Sequence, residues 1–234
     1  MTITYLEESI LLPQLGRQEV QRLASSRRAR IQSTEFTYGR DFHSFGRAYF
    51  DGGQAAAAYR SYEYDGRFLA GVESIARLCS LPSDAAILEL GCAKGYILAE
   101  FDRAGYEDLT GVDISEYAVD SAYHAVAEKL VRSDALTFLS ACERKYHLII
   151  IKEMLPHLSR TDVDKVLCFL PDRLYEEGHI YLEIQCAANG DAANLIRKFD
   201  PTHQVLWDKA QWKETLESSA SADCKLLVYL KDLV

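Results

Sequence analysis

The sequence predicts an α/β protein: a seven-stranded, mostly parallel sheet with helices on both faces, preceded by a helical and aromatic segment. Three observations predict it. From Ala85 onward, short apolar β-prone runs alternate with amphipathic stretches, the pattern of strands joined by crossover helices. The run Leu148-Ile149-Ile150-Ile151 is apolar at every position, as a strand covered on both faces should be. Ile87-Leu88-Glu89-Leu90 passes directly into glycines and then into an amphipathic stretch, the junction at which open α/β sheets hold ligands.

The pattern changes character at Pro82, which divides the chain into a front segment, 1–82, and a sheet domain, 83–234. In the front, SILLPQL and EVQRLASSRRARI read as helices with arginines toward solvent. The stretch from Phe36 to Phe68 is rich in tyrosine, arginine and glycine without a period, which suits a lid over a site better than a core element. In the sheet domain, strands are expected at AILEL, LTGVDI, LVRSD, YHLIIIKE, HIYLEIQC, HQVLWD and CKLLVYL. Between them, YILAEFDRAG, EYAVDSAYHAVAEKL, ALTFLSACER, DVDKVLCFLPDRL, DAANLIRKF and QWKETLES read as helices, the fourth starting near Thr161 and Asp164.

Composition narrows the function. The chain has 234 residues, 48% hydrophobic and 26% charged, the profile of a folded globular protein. A net charge of −9 offers no basic footprint for a phosphate backbone, so nucleic acid is not an expected partner. The six cysteines are scattered, with no paired spacing and no Cys/His cluster; they read as reduced core thiols, and no metal is expected. No apolar run approaches a membrane span, and residues 1–14 carry Glu7 and Glu8 where a leader would be basic. A cytoplasmic protein without membrane contact is therefore expected.

The chemistry-bearing residues follow the strand ends. Gly91 permits a tight turn and Gly95 lets the next helix pack closely, leaving backbone N–H groups aimed at a small ligand. Asp113 ends the second strand, 18 residues after Gly95, where an acid accepts hydrogen bonds from both hydroxyls of an unphosphorylated ribose. Asp134, in Ser133-Asp134-Ala135, places a further acid beside the crevice. Each of these two acids also has the position of a helix cap. A nicotinamide-dependent oxidoreductase would share this layout, but Glu89, two residues before the first glycine, would repel a pyrophosphate and suits a ligand with an amino group.

Together, ILELGCAKG, GVDIS, SDA and YHLIIIKEMLPHL resemble the class I S-adenosylmethionine-dependent methyltransferases, over roughly Ala85 to Val234. The family's Rossmann-like fold has its last strand antiparallel, and its cofactor loop usually carries a third glycine where Ala93 stands. The resemblance implies cofactor contacts from Glu89, Gly91, Cys92, Ala93 and Gly95, from Asp113 and Ile114, from Asp134 and Ala135, and from Lys152. It implies S-adenosylmethionine as cofactor, S-adenosylhomocysteine as product, and methylation of an oxygen or nitrogen of a small molecule such as a sugar or secondary metabolite. A scaffold that keeps the cofactor site without catalysis is the reading outside enzymes.

An oxygen acceptor needs a base. His157 is the first candidate because its loop follows the buried fourth strand, and Glu153 is the second. His179 and His203 are expected at strand starts, the wrong end of a parallel sheet. In the front segment, YEYDGRF is similar to an element that precedes the cofactor loop in some bacterial methyltransferases. Arg67 is expected to pair with the cofactor carboxylate, or else with Asp65 or Glu63. Tyr59, Tyr62, Tyr64 and His43 are expected on the substrate side.

Overall fold

The computed structural model describes residues 2–12, 17–53, 59, 61–219 and 224–232. Residues 13–15 of the expected first helix, and Arg60 of the tyrosine-rich stretch, lie outside them. The chain opens with strand β1 (Thr2–Leu6), followed by helix α1 (Arg17–Ser33), the short helices α2 (Arg40–His43) and α3 (Arg47–Phe50), and α4 (Leu69–Leu78). Then come β2 (Ile87–Leu90), α5 (Tyr96–Arg103), β3 (Leu109–Asp113), α6 (Glu116–Asp120), β4 (Leu130–Arg132), α7 (Ala135–Ala141) and β5 (Tyr146–Lys152). The last third holds α8 (Arg160–Phe169), β6 (Leu174–Cys186), α9 (Gly190–Phe199), α10 (Lys209–Ser219) and β7 (Lys225–Asp232).

The seven strands form one sheet in the order β1-β7-β6-β5-β2-β3-β4, and every neighbouring pair is parallel. Strand β5 is central and its Leu148, Ile149, Ile150 and Ile151 are fully buried. Successive side chains of a strand point to opposite faces. Accordingly Leu148 and Ile150 pack into one core with Val72 of α4 and Leu98 of α5, while Ile149 and Ile151 pack into another with Val166 of α8 and Trp212 of α10. The sheet is covered on both sides, as its apolar strands require. Among the described residues, no helix is long and apolar enough to cross a membrane.

Five expectations are corrected. The last strand is parallel, not antiparallel, because the segment expected as a sixth strand, HQVLWD, has no strand structure. Only helices α9 and α10 separate β6 from β7, so the chain crosses the sheet face once and returns in the same direction. The seventh strand is instead β1, from the front segment, paired with β7 from Thr2↔Lys225 to Leu6↔Tyr229. The front segment is thus part of the sheet at its start. SILL is not helical: Leu12 precedes a proline, which disfavours the helical region, and Leu11 and Leu12 instead pack under α4. The expected long helix EYAVDSAYHAVAEKL stops at Asp120, and the Tyr123 N–H donates to the carbonyl of Lys94 (2.9 Å). Helix α8 starts two residues earlier than expected, capped by Ser159, whose hydroxyl accepts from the Asp162 N–H.

Truncating Ile150 to alanine removes a fully buried side chain from the central strand. It should lower the unfolding free energy by about 2–5 kcal/mol, read as a reduced urea midpoint at unchanged slope.

Candidate active site

The carboxyl ends of the strands open into a cavity of about 530 Å³. Its floor is built by Gly91 and Ala93 after β2, Asp113 at the end of β3, Asp134 after β4, and Lys152 and Glu153 at the end of β5. The front segment supplies the opposite wall through Arg27 and Arg30 of α1 and the rings of Phe45, Tyr49, Phe50 and Tyr59. Both arginines stack over Phe199, at 5.8 and 5.9 Å from its centroid.

The turn after β2 depends on its glycine. Gly91 has φ +75°, and a Cβ there would meet the Met154 side chain at 2.7 Å, so a larger residue is excluded twice over. Ala93, where the related loop carries glycine, also lies in the left-handed region at φ +48°. The Ala93 N–H donates to Asp113 Oδ2 (2.7 Å) and the Ser115 N–H to Asp113 Oδ1 (2.8 Å). Two backbone donors thereby aim the carboxylate along the cavity floor, while burial pushes its pKa above the ordinary value. Asp134 lines the cavity and at the same time caps α7, accepting from the Thr137 N–H (2.9 Å).

Glu89 lies beneath this floor rather than on it. It is buried, and Oε2 has no hydrogen-bond partner among the described residues. Burial, reinforced by the nearby Asp113 charge, raises its pKa well above the carboxylate range.

At the end of β5 the backbone turns sharply through Glu153, at φ +60°. The Glu153 carboxylate meets Lys152 Nζ (2.8 Å), the Lys231 ammonium, and Gln185 Nε2 (2.7 Å). Lys231 also reaches Glu183 Oε1 at 3.2 Å, and Glu183 Oε2 accepts from Ser9 (2.8 Å) and Tyr181 (3.1 Å). Burial opposes ionisation of Glu153, but the two lysines outweigh it and hold its pKa well below the usual range. Such a carboxylate is a poor proton acceptor.

His157 stands on the cavity wall, with Phe45 edge-on at 5.6 Å. Its Nδ1 lies 2.9 Å from Thr202 Oγ1. The Thr202 hydroxyl donates to Asp200 Oδ1, so its oxygen accepts from His157 Nδ1–H, which leaves the lone pair on Nε2. Burial, then the neighbouring His203, lower the His157 pKa to about 4. His203 was expected at a strand start away from the site. It instead lines the cavity in a coil, its ring 4.3 Å from that of His157, because the expected strand does not form.

Other expected site residues are placed differently. Arg67 forms a bidentate ion pair with Asp65 and is half-exposed, not on the cavity wall. Tyr62 stacks on Tyr96 of α5 and Tyr64 on Tyr123 after α6, tying the front segment to the sheet domain, whereas Tyr59 faces the cavity. His43 is exposed beside Tyr38 and Phe42. Cys92 and Gly95 support the loop from below; Ile114, Ala135 and Lys152 line the cavity.

The chain matches the model of a methyltransferase domain over residues 58–219. It belongs to that family. Similar solved structures include a SAM-dependent methyltransferase from Archaeoglobus fulgidus, at 21% identity and TM-score 0.52, covering 64% of this chain and 66% of that one. The YcgJ protein of Bacillus subtilis follows at 18% identity and TM-score 0.54, covering 63% and 66%. A short stretch of 56 residues, 24% of this chain, is 36% identical to the mRNA cap guanine-N(7) methyltransferase of Schizosaccharomyces pombe, of which it spans 16%. The two solved structures share this chain's fold.

Two parts of this methyltransferase domain were not anticipated from sequence. Neither Asp200 nor Lys94 was assigned a role there. Lys94 Nζ, buried in the loop, pairs with Asp51 Oδ2 (2.6 Å) and donates to the Tyr62 carbonyl (3.0 Å). Asp51 also accepts from the Tyr62 N–H and the Tyr117 hydroxyl. Burial would raise the Asp51 pKa, but these donors hold it below its usual value. The pair clasps the aromatic wall to the loop. Lys94→Ala should therefore cost about 3 kcal/mol, the loss typical when one partner of a buried pair is removed. Hydrogen exchange should show faster opening of residues 40–53 in that variant, with β5 still protected.

Proposed function

We propose that the chain is an S-adenosylmethionine-dependent methyltransferase acting on an oxygen or nitrogen of a small molecule. The observation that carries this reading is the Asp113 carboxylate, aimed by the N–H groups of Ala93 and Ser115 along the floor of a cavity. An acid at that position accepts from both ribose hydroxyls, and the left-handed turn at Gly91 leaves no side chain over the floor. The residues present fit the cofactor: Asp113 and Ile114 for the ribose, Asp134 and Ala135 for the adenine side, Gly91 and Ala93 beneath. When bound, the cofactor supplies an electrophilic methyl group on a sulfonium, so that its departing half leaves neutral.

The chain's own part is alignment, exclusion of water and handling of one proton. The aromatic wall closes the cavity from the front, and its rings suit a small, partly apolar acceptor. His157 is the side chain to receive an acceptor's proton, since its neutral form dominates at neutral pH. Asp200, acting through Thr202, orients that ring and stabilises it when protonated; it is a positioning residue. Glu153, neutralised by two lysines, is left as a structural anchor. The size of the cavity and the charge of −9 favour a small acceptor over a polynucleotide. Six free, scattered cysteines favour a reducing compartment such as the cytoplasm.

Thermal unfolding with S-adenosylmethionine, S-adenosylhomocysteine, NAD or NADP tests the cofactor, since a ligand of the native state raises Tm. Shifts with the two sulfur nucleosides alone are expected, and a shift with a dinucleotide alone would point to the oxidoreductase. Asp113→Ala should abolish their binding by calorimetry with the fold intact by circular dichroism; unchanged affinity would remove the ribose assignment. With an acceptor in hand, His157→Ala should cut kcat about 10²–10⁴-fold with little change in cofactor affinity. The folded imidazole titrates near 4 rather than 6.5, so protonation silences it only in acid. The acid limb of the rate profile should accordingly lie well below 6.5 and disappear in the alanine variant.

A further inference from the structure

On the acceptor side of the cavity, one nitrogen each of His157 and His203 and one oxygen of Asp200 lie within 4.8 Å of one another. All three residues line the cavity. We propose that they form a seat for a divalent first-row transition metal ion, a cation with its open coordination positions facing the acceptor. This proposal does not rest on the methyl-transfer reading.

The hydrogen-bond directions carry the argument. Glu153 meets two lysine ammonium groups and, as a carboxylate, only accepts; the Gln185 group facing it at 2.7 Å is therefore its NH₂. That fixes the Gln185 oxygen toward His203 Nε2, 2.7 Å away, so Nε2 carries the hydrogen. In neutral His203 the lone pair is then on Nδ1. Around Nδ1 stand the Asp200 main-chain oxygen at 3.3 Å and Asp200 Oδ2 at 3.6 Å. A lone pair facing two oxygens is repulsive unless a positive charge lies among them.

The same logic applies across the cluster. His157 donates from Nδ1 to Thr202, so its own free lone pair is on Nε2. Asp200 Oδ1 is taken by the Thr202 N–H and hydroxyl, while Oδ2 accepts from the Tyr49 hydroxyl (3.0 Å) and keeps further lone pairs. Each imidazole thus donates its second N–H to an oxygen, and the carboxylate is braced by three donors. This is the outer arrangement that orients metal-ligating histidines. Two imidazoles and one carboxylate are a donor set for Zn²⁺, Fe²⁺, Co²⁺ or Mn²⁺. Ligands about 2.1 Å from a tetrahedral ion stand about 3.4 Å apart, close to the 3.6 Å between His203 and Asp200. The His157 nitrogen lies within 4.8 Å of the other two ligand atoms, so the three side chains draw together as the ion enters. With the seat filled His157 is a ligand, and its role as proton acceptor belongs to the metal-free chain.

The test is direct binding. Protein stripped with a chelator and desalted is dialysed against Zn²⁺, Mn²⁺ or Co²⁺, and bound metal is measured. One equivalent per chain is expected for at least one ion. The Co²⁺ form should show visible ligand-field bands without the intense near-ultraviolet band of thiolate ligation, which separates this seat from the cysteines. Asp200→Asn and His203→Gln should each weaken binding by at least about 100-fold. If either variant fails to fold by circular dichroism, His157→Asn, at the half-buried wall position, should give the same loss. No stoichiometric uptake of any of the three ions would overturn the proposal and leave a proton shared between His203 and Asp200. Uptake that survives these substitutions, or a thiolate band, would overturn it too. Cofactor affinity of the stripped protein, measured by calorimetry, reports separately on the methyltransferase reading.

Discussion

Everything on the acceptor side of the cavity rests on a quartet of charges buried at the carboxyl ends of three adjacent strands: Lys152 of β5, Glu183 of β6, Lys231 of β7, and Glu153 in the turn after β5. Taking four charges out of water is costly, and one unpaired member would be intolerable. The strand register meets that demand. Lys152 lies opposite Glu183, and Lys231, opposite Gln185, reaches back to the Glu183 carboxylate at 3.2 Å, so cations and anions alternate from β5 to β7. An antiparallel β7 would send Lys231 to the other end of the sheet and leave Glu153 and Glu183 sharing one lysine. The parallel direction of the last strand and the electrostatics of the site are thus the same fact.

From the quartet, order propagates outward. Glu153 sets the orientation of the Gln185 amide, Gln185 sets the tautomer of His203, and Asp200 with Thr202 sets that of His157. No member of this series is a long flexible side chain reaching through solvent. Each is short and packed at a strand end or in the turn after α9, which is how a scaffold holds polar groups to the precision that chemistry requires. The front segment joins the assembly by different means: Lys94 with Asp51 at the loop, and the Tyr49 hydroxyl on Asp200.

Much of the cavity floor was legible in the sequence, because its signals are local. The apolar run of β5, the glycine turn after β2 and the acid ending β3 each announce themselves within a few residues, and the structure brings Gly91, Ala93, Asp113 and Asp134 to one cavity. The side of the cavity around His157, Asp200 and His203 was not legible, because its groups meet only through distant pairings. Nothing near Thr2 says that it pairs with Lys225. HQVLWD has strand composition, yet its residues are used to carry His203 across to His157; Gln204 and Val205 donate instead to the Pro156 carbonyl. The sheet domain's boundary at residue 83 was drawn from a change in local pattern, which cannot register an edge strand contributed from the chain's opening residues.

That edge strand bears on how the molecule comes to be made. Strand β1 leaves the ribosome first among the seven, but its partner β7 is the last to be synthesised. Until β7 is made, Thr2–Leu6 has no neighbour in the sheet and the β7 side of β6 stands open. An unpaired strand in that state is a template for wrong partners, and a contact this long-range forms slowly. The sheet can close only once β7 has been made, so the time between the two strands is the time in which the open edges must be kept from pairing wrongly.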